Sequence, residues 1–111
     1  LPLASLTAVP AGVLEAQALP SICAARTLLL LPTSFGPGTR VLDLCAGEGG
    51  KTAELAALLL LSAASEGARL VAMDRSRRKL ATLRGRLRRL GVPAGLVRTA
   101  AADGLKRALD P

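Results

Sequence analysis

The sequence predicts an α/β fold, the N-terminal half of a parallel sheet with helices on both faces. Three observations carry this. Short apolar runs at residues 40–45, 69–74 and 96–101 each lead to a carboxylate, at Asp43, Asp74 and Asp103. Between them lie stretches with leucines at helical spacing. A glycine-rich turn, Gly47-Glu48-Gly49-Gly50, joins the first run to the helix after it. Near-continuous apolar strands alternating with helices indicate parallel pairing with both sheet faces covered.

Taken in order, residues 1–38 form a helical and extended lead-in. Pro10-Ala11-Gly12 reads as a turn and residues 13–18 as an extended piece. Ser21 is placed to cap a helix running to about residue 31, which Pro32 ends. A loop over 33–38 delivers the chain into the first strand, 40–45. A helix follows over 52–65, with Leu55, Leu58, Leu59 and Ser62 at helical spacing and Gly67 beyond its end. The second strand is 69–74. Ser76 opens a second helix to about Leu90, carrying a stripe of Leu80, Leu83, Leu87 and Leu90, with Gly91 where a C-terminal cap belongs. The third strand spans 96–101, and residues 105–109 start another helix. Residues 39–111 thus read as a partial domain. Leu1 is not an initiator Met and Asp110-Pro111 leads into no closing strand, so a fragment with apolar sheet edges is expected.

Half of the 111 residues are hydrophobic, but Phe35 is the single aromatic, and His, Tyr and Trp are absent. No imidazole is available as acid, base or metal ligand, and no aromatic platform for stacked bases. Cys23 and Cys45 lack paired spacing, so no metal site is expected. The 15 Lys and Arg against 8 Asp and Glu leave a formal charge of +7, which favours a polyanionic partner. Neither a secretion signal nor a membrane span is seen, and a reduced, cytoplasmic setting is expected.

Asp43, Gly47 and Gly49 follow the pattern D-x-x-x-G-x-G at a strand end. Glycines let the backbone turn sharply and approach a ligand, and the helix start favours an anionic group. A phosphate-binding P-loop ending at Gly50-Lys51-Thr52 would need glycine at Cys45, and a dinucleotide fingerprint would need it at Thr52. Asp74 is placed either to accept both hydroxyls of a ribose or to cap the following helix. Asp103 is placed either beside an adenine edge or in a plain turn before Gly104.

Val41-Leu42-Asp43-Leu44-Cys45-Ala46, followed after two residues by Gly49-Gly50-Lys51-Thr52, resembles motif I of the Sun-domain (Fmu/RsmB-like) RNA cytosine-C5 methyltransferases, which reads LDLCAAPGGKT. Leu14 to Ser21 resembles the element that precedes it, and Leu90-Gly91 and Asp103-Gly104 match later elements. The Leu19-Pro20-Ser21 and Asp103-Gly104-x-Lys106 details look most like the tRNA-modifying branch. The resemblance implies a Rossmann-like class I methyltransferase sheet with S-adenosylmethionine as cofactor. Cys45, Ala46, Gly47, Glu48, Gly49, Gly50 and Lys51 would wrap its methionine end, Asp74 would hold the ribose, and Asp103 would lie beside the adenine. The family's Ala-Pro is Gly47-Glu48 here. Its chemistry uses one cysteine to attack C6 of cytosine and a second to release the C5-methylated product. Those motifs lie downstream of Asp103, and neither Cys23 nor Cys45 matches them, so no catalytic residue is assigned and no turnover is expected from this stretch alone.

Arg75, Arg77, Arg78, Lys79, Arg84, Arg86, Arg88 and Arg89 place 8 of the 15 positive charges on or beside one predicted helix. That face reads as a solvated surface or as a contact for RNA phosphates. The leading expectation is the S-adenosylmethionine-binding portion of an RNA (tRNA) cytosine-C5 methyltransferase. The alternative is a non-catalytic, basic RNA- or partner-binding module derived from such an enzyme.

Overall fold

The computed structural model describes residues 11–12, 15–30, 36–61 and 66–103. Helix α1 (Leu19–Arg26) tightens into a 3-10 turn (Thr27–Leu30). There follow β1 (Arg40–Asp43), α2 (Gly50–Leu61), β2 (Arg69–Asp74), α3 (Arg77–Arg89) and β3 (Val97–Ala101). The strands form one parallel sheet in the order β1-β2-β3.

Register and the two-residue period of strands sort the side chains. Val41, Leu70 and Val97 are partners on one face, with Ala72 and Thr99 beside them. That face takes the helices. Ala25 of α1 and Leu55, Ala56 and Leu59 of α2 pack with Leu70 and Leu96. Leu80, Leu83 and Leu87 of α3 pack with Ala46, Ala53 and Ala72. Leu59, Leu70, Leu80 and Leu83 are fully buried, each worth roughly 1.5–3 kcal/mol of transfer free energy. Alternation assigns Arg40, Leu42, Arg69, Val71 and Arg98 to the other face, and none of the described helices covers it. The helix expected at 105–109 lies outside the described residues.

Most expected elements are present, with shifted ends. β2 has the expected bounds, and Ser76 caps α3, its hydroxyl accepting the Lys79 N–H. Gly91 stands beyond α3 with φ +74°. Three expectations are corrected. Ser21 caps nothing: α1 begins at Leu19 with proline in its first turn, and Ala18 stands at the cap without a side-chain bond. β1 stops at Asp43 because the carboxylate accepts the Cys45 N–H and turns the chain there. α2 starts at Gly50, two residues early, because the Gly49 carbonyl already accepts the Ala53 N–H.

Candidate functional site

The carboxyl ends of the three strands converge on the turn between β1 and α2. Asp43 braces that turn from beneath. One carboxylate oxygen accepts the Cys45 N–H at 3.2 Å and the other accepts the Thr52 hydroxyl at 2.8 Å. Thr52 is fully buried, so its hydroxyl is committed to Asp43. A P-loop would need that hydroxyl on magnesium, and this geometry removes the P-loop reading.

Across the turn, β2 holds the loop edge. The Ala46 N–H donates to the Met73 carbonyl at 2.9 Å, and the Gly47 N–H donates to Asp74 Oδ2 at 2.9 Å. The Gly49 N–H closes back on the Ala46 carbonyl at 3.0 Å. Gly47 and Gly49 take φ of +56° and +97°, which only glycine adopts cheaply. A Cβ on Gly49 would stand 2.8 Å from Leu83 Cγ, so the loop lies directly on α3. A Cβ on Gly47 would meet nothing within 4 Å.

Asp74 accepts the Ser76 N–H at 2.8 Å on its other oxygen. The Ser76 and Gly47 N–H groups hold its carboxyl below the ordinary aspartate value. Desolvation opposes them, and Lys79 and Arg75 add smaller favourable effects. The group is therefore an anion at neutral pH. A carboxylate offers about four lone-pair positions and Asp74 spends two, leaving acceptors for hydroxyl donors. Asp74 thus turns the chain toward α3, whose cap is Ser76, and keeps acceptor capacity on its carboxylate.

The Ala102 N–H donates to the Asp74 carbonyl at 3.0 Å, which brings the end of β3 alongside. Asp103, half-exposed, lies 3.9 Å from Arg75. Cys45, Glu48 and Lys51 are exposed on the turn, Ala46 and Gly49 are buried, and Gly50 is half-buried. The structure therefore gathers all nine sequence-predicted positions at the carboxyl edge of the sheet. Cys23 is exposed on α1, and no group of three or more His, Cys, Asp or Glu side chains suited to a metal occurs among the described residues.

Two features escaped the sequence. Asp43 and Thr52 pair across nine residues as the brace of the turn. Glu15 joins Arg86 at 2.9 Å and also Arg89, 71 and 74 residues further along. The basic run on α3 is consequently not one surface. Arg86 and Arg89 hold the lead-in, Arg84 donates to the Thr99 hydroxyl and Arg75 faces Asp103. Arg77, Arg78, Lys79 and Arg88 are exposed and form no ion pair among the described residues. An apolar cleft between α3 and β3, floored by Leu87, Val92 and Val97, lies apart from the glycine turn and carries no carboxylate.

A parallel sheet, a glycine turn entering a helix and an acidic residue closing the second strand define a Rossmann-like nucleotide-cofactor domain of the methyltransferase type. The open space at Gly47 and the remaining acceptor positions of the ionised Asp74 suit a cofactor that carries hydroxyl donors, as S-adenosylmethionine does. The family model for the 16S rRNA methyltransferase RsmB/F matches residues 29–108, and the chain belongs to that family, whose cofactor is S-adenosylmethionine.

Solved structures agree. NSun6 from Pyrococcus horikoshii, solved with the S-adenosylmethionine analogue SFG, is 30% identical over 91% of this chain and 23% of its own, with a TM-score of 0.71. A methyltransferase homologue from Pyrococcus horikoshii is 27% identical over 96% of this chain and 31% of its own, at 0.73. An S-adenosylmethionine-dependent O-methyltransferase from Thermotoga maritima is 20% identical over 80% of this chain and 31% of its own, at 0.58, a likeness of fold. The chain spans less than a third of each of these structures. Among curated proteins none matches the sequence. No described helix is long and apolar enough to cross a membrane.

Proposed function

We propose that this chain is the S-adenosylmethionine-binding portion of an RNA cytosine-C5 methyltransferase that acts on tRNA in the cytoplasm. Residues 1–38 serve as lead-in and 39–111 as the partial cofactor domain. The observation that carries the reading is the paired anchoring of Gly47 and Ser76 on Asp74, which places an ionised carboxylate at the lip of a glycine turn. Bound S-adenosylmethionine supplies an electrophilic methyl group. The chain's own part is binding. Asp74 accepts from the ribose hydroxyls, residues 45–51 enclose the amino-acid end, and Asp103 borders the adenine. Exposed Lys51 and Glu48 carry charges that can meet the carboxylate and the ammonium of that end. No described side chain takes the part of nucleophile.

The tRNA assignment is supported by Leu19-Pro20-Ser21, by Asp103-Gly104-x-Lys106 and by likeness to NSun6, whereas the family model is named for 16S rRNA. Calorimetric titration of S-adenosylmethionine into the folded chain tests the cofactor reading. Saturable binding is expected, weakened about 10- to 100-fold by Asp74→Ala, as for hydrogen bonds to a charged group. Folded protein that takes up no cofactor would end the proposal. Competition of a tRNA against a 16S rRNA hairpin, at one fixed salt concentration, tests the substrate.

A further inference from the structure

The lead-in grips the cofactor turn from behind, through contacts that no feature of motif I requires. Gln17 Nε2 donates to the carbonyl of Gly50, the first residue of α2, at 3.2 Å. Ser21 Oγ and Arg86 Nη1 flank the same glycine, at 3.9 and 3.8 Å from where a Cβ would stand. Two residues before Gln17, Glu15 is clamped by Arg86 and Arg89. Three residues before that, Gly12, at φ +78°, lies so close to α3 that a Cβ would overlap the Arg89 carbonyl oxygen, at 1.8 Å. The segment is thus pinned to α3 at two points and reaches α2 at a third. Gly49 rests on Leu83 of the same α3. The turn is held between the helix and the strap.

We infer that Gln17 is a positioning residue for the cofactor turn. A trans peptide is planar, so holding the Gly50 carbonyl fixes the Lys51 N–H in the opposite direction, toward the N-terminal end of α2 where an anion binds. Glu15, Arg86 and Arg89 keep the amide within reach. The substrate-facing residues do the binding, and Gln17 sets the direction of the donor they present. This rests on the proposed function, since it assumes that the turn holds S-adenosylmethionine.

The test uses the full chain and two substitutions. Gln17→Met keeps the length and removes the donor. It is expected to weaken S-adenosylmethionine about fivefold in calorimetry and, as the loss of one neutral intramolecular hydrogen bond, to lower the ligand-free melting temperature by several degrees. A lowered melting temperature with unchanged affinity would mean that Gln17 is merely structural and would overturn the inference. Gln17→Glu reads the same contact within one polypeptide. Its ionised carboxylate repels the Gly50 carbonyl at pH 8, whereas protonation on acidification through the ordinary glutamate value, about pH 4.3, restores a donor, so affinity relative to wild type is expected to recover as pH falls below it. A flat ratio would also overturn it. Should wild type bind no cofactor, the proposed function fails. The inference is then read by amide exchange at Lys51, expected to be faster in ligand-free Gln17→Met and overturned if unchanged.

Discussion

Gly47 and Gly49 sit two residues apart in one turn, yet their substitution is expected to cost different amounts. Gly47 needs glycine for its φ of +56° alone, so Gly47→Ala should cost about 1–2 kcal/mol. Gly49→Ala meets a φ of +97° and Leu83 Cγ at 2.8 Å, and forcing that contact adds about 1–3 kcal/mol. Urea unfolding of both variants gives the comparison, and equal midpoints would show that α3 yields to the loop. Asp74 allows a second measurement at the same scale. Its folded pKa is depressed, so the folded chain binds fewer protons there than the unfolded one and stability rises with pH. The contribution is complete above the unfolded aspartate value, about pH 4, and is lost as pH falls through the lower folded value. Between pH 5 and pH 3 wild type should lose more stability than Asp74→Asn. Parallel losses would mean that Ser76 and Gly47 do not hold the carboxylate in solution.

At the scale of elements, α3 shows how far the sequence could be read. Its start was legible because Ser76 caps locally, and its buried face because Leu80, Leu83 and Leu87 recur at helical spacing. The glycine turn was legible for the same reason, since its determinants lie within one short stretch. The roles of the arginines were not, because Glu15 is distant in sequence and only folding brings it to Arg86 and Arg89. The start of α1 was missed because Ala18 has no side chain to signal a cap. One consequence belongs to α3 itself. Its first turn holds Arg77, Arg78 and Lys79 and no acidic residue, although the helix dipole favours anions at that end. Arg78→Glu should therefore stabilise the chain by about 0.3–1 kcal/mol in thermal unfolding. If that cluster meets RNA, the same change should weaken binding and flatten its salt dependence. A destabilised variant would show that Arg78 has a structural partner.

For the whole molecule, the decisive asymmetry is between the two faces of the sheet. One carries the apolar core under α1, α2 and α3. The other presents Arg40 and Arg69 side by side at the start of β1 and β2, and in the next row Leu42, at 55% exposure, with Val71 and Arg98. Among the described strands β1 also lies at an edge, and Leu44 beyond it is 40% exposed. An apolar edge with open backbone groups invites pairing with another chain, whereas the net charge of +7 keeps molecules apart at low salt. Screening removes the repulsion and leaves the apolar contact, so the 111-residue chain should associate more as salt rises, the reverse of a contact held by ion pairs. Leu42→Glu should suppress that association. It removes the apolar side chain opposite Val71 and sets a carboxylate diagonal to Arg69 on the neighbouring strand, where an opposite-charge pair is worth at most roughly 0.2–1 kcal/mol. Sedimentation velocity at 50 mM and 500 mM salt separates the cases. A wild-type chain that stays monomeric at both would show that the open face is not adhesive, and association weakened by salt would show that charge drives it.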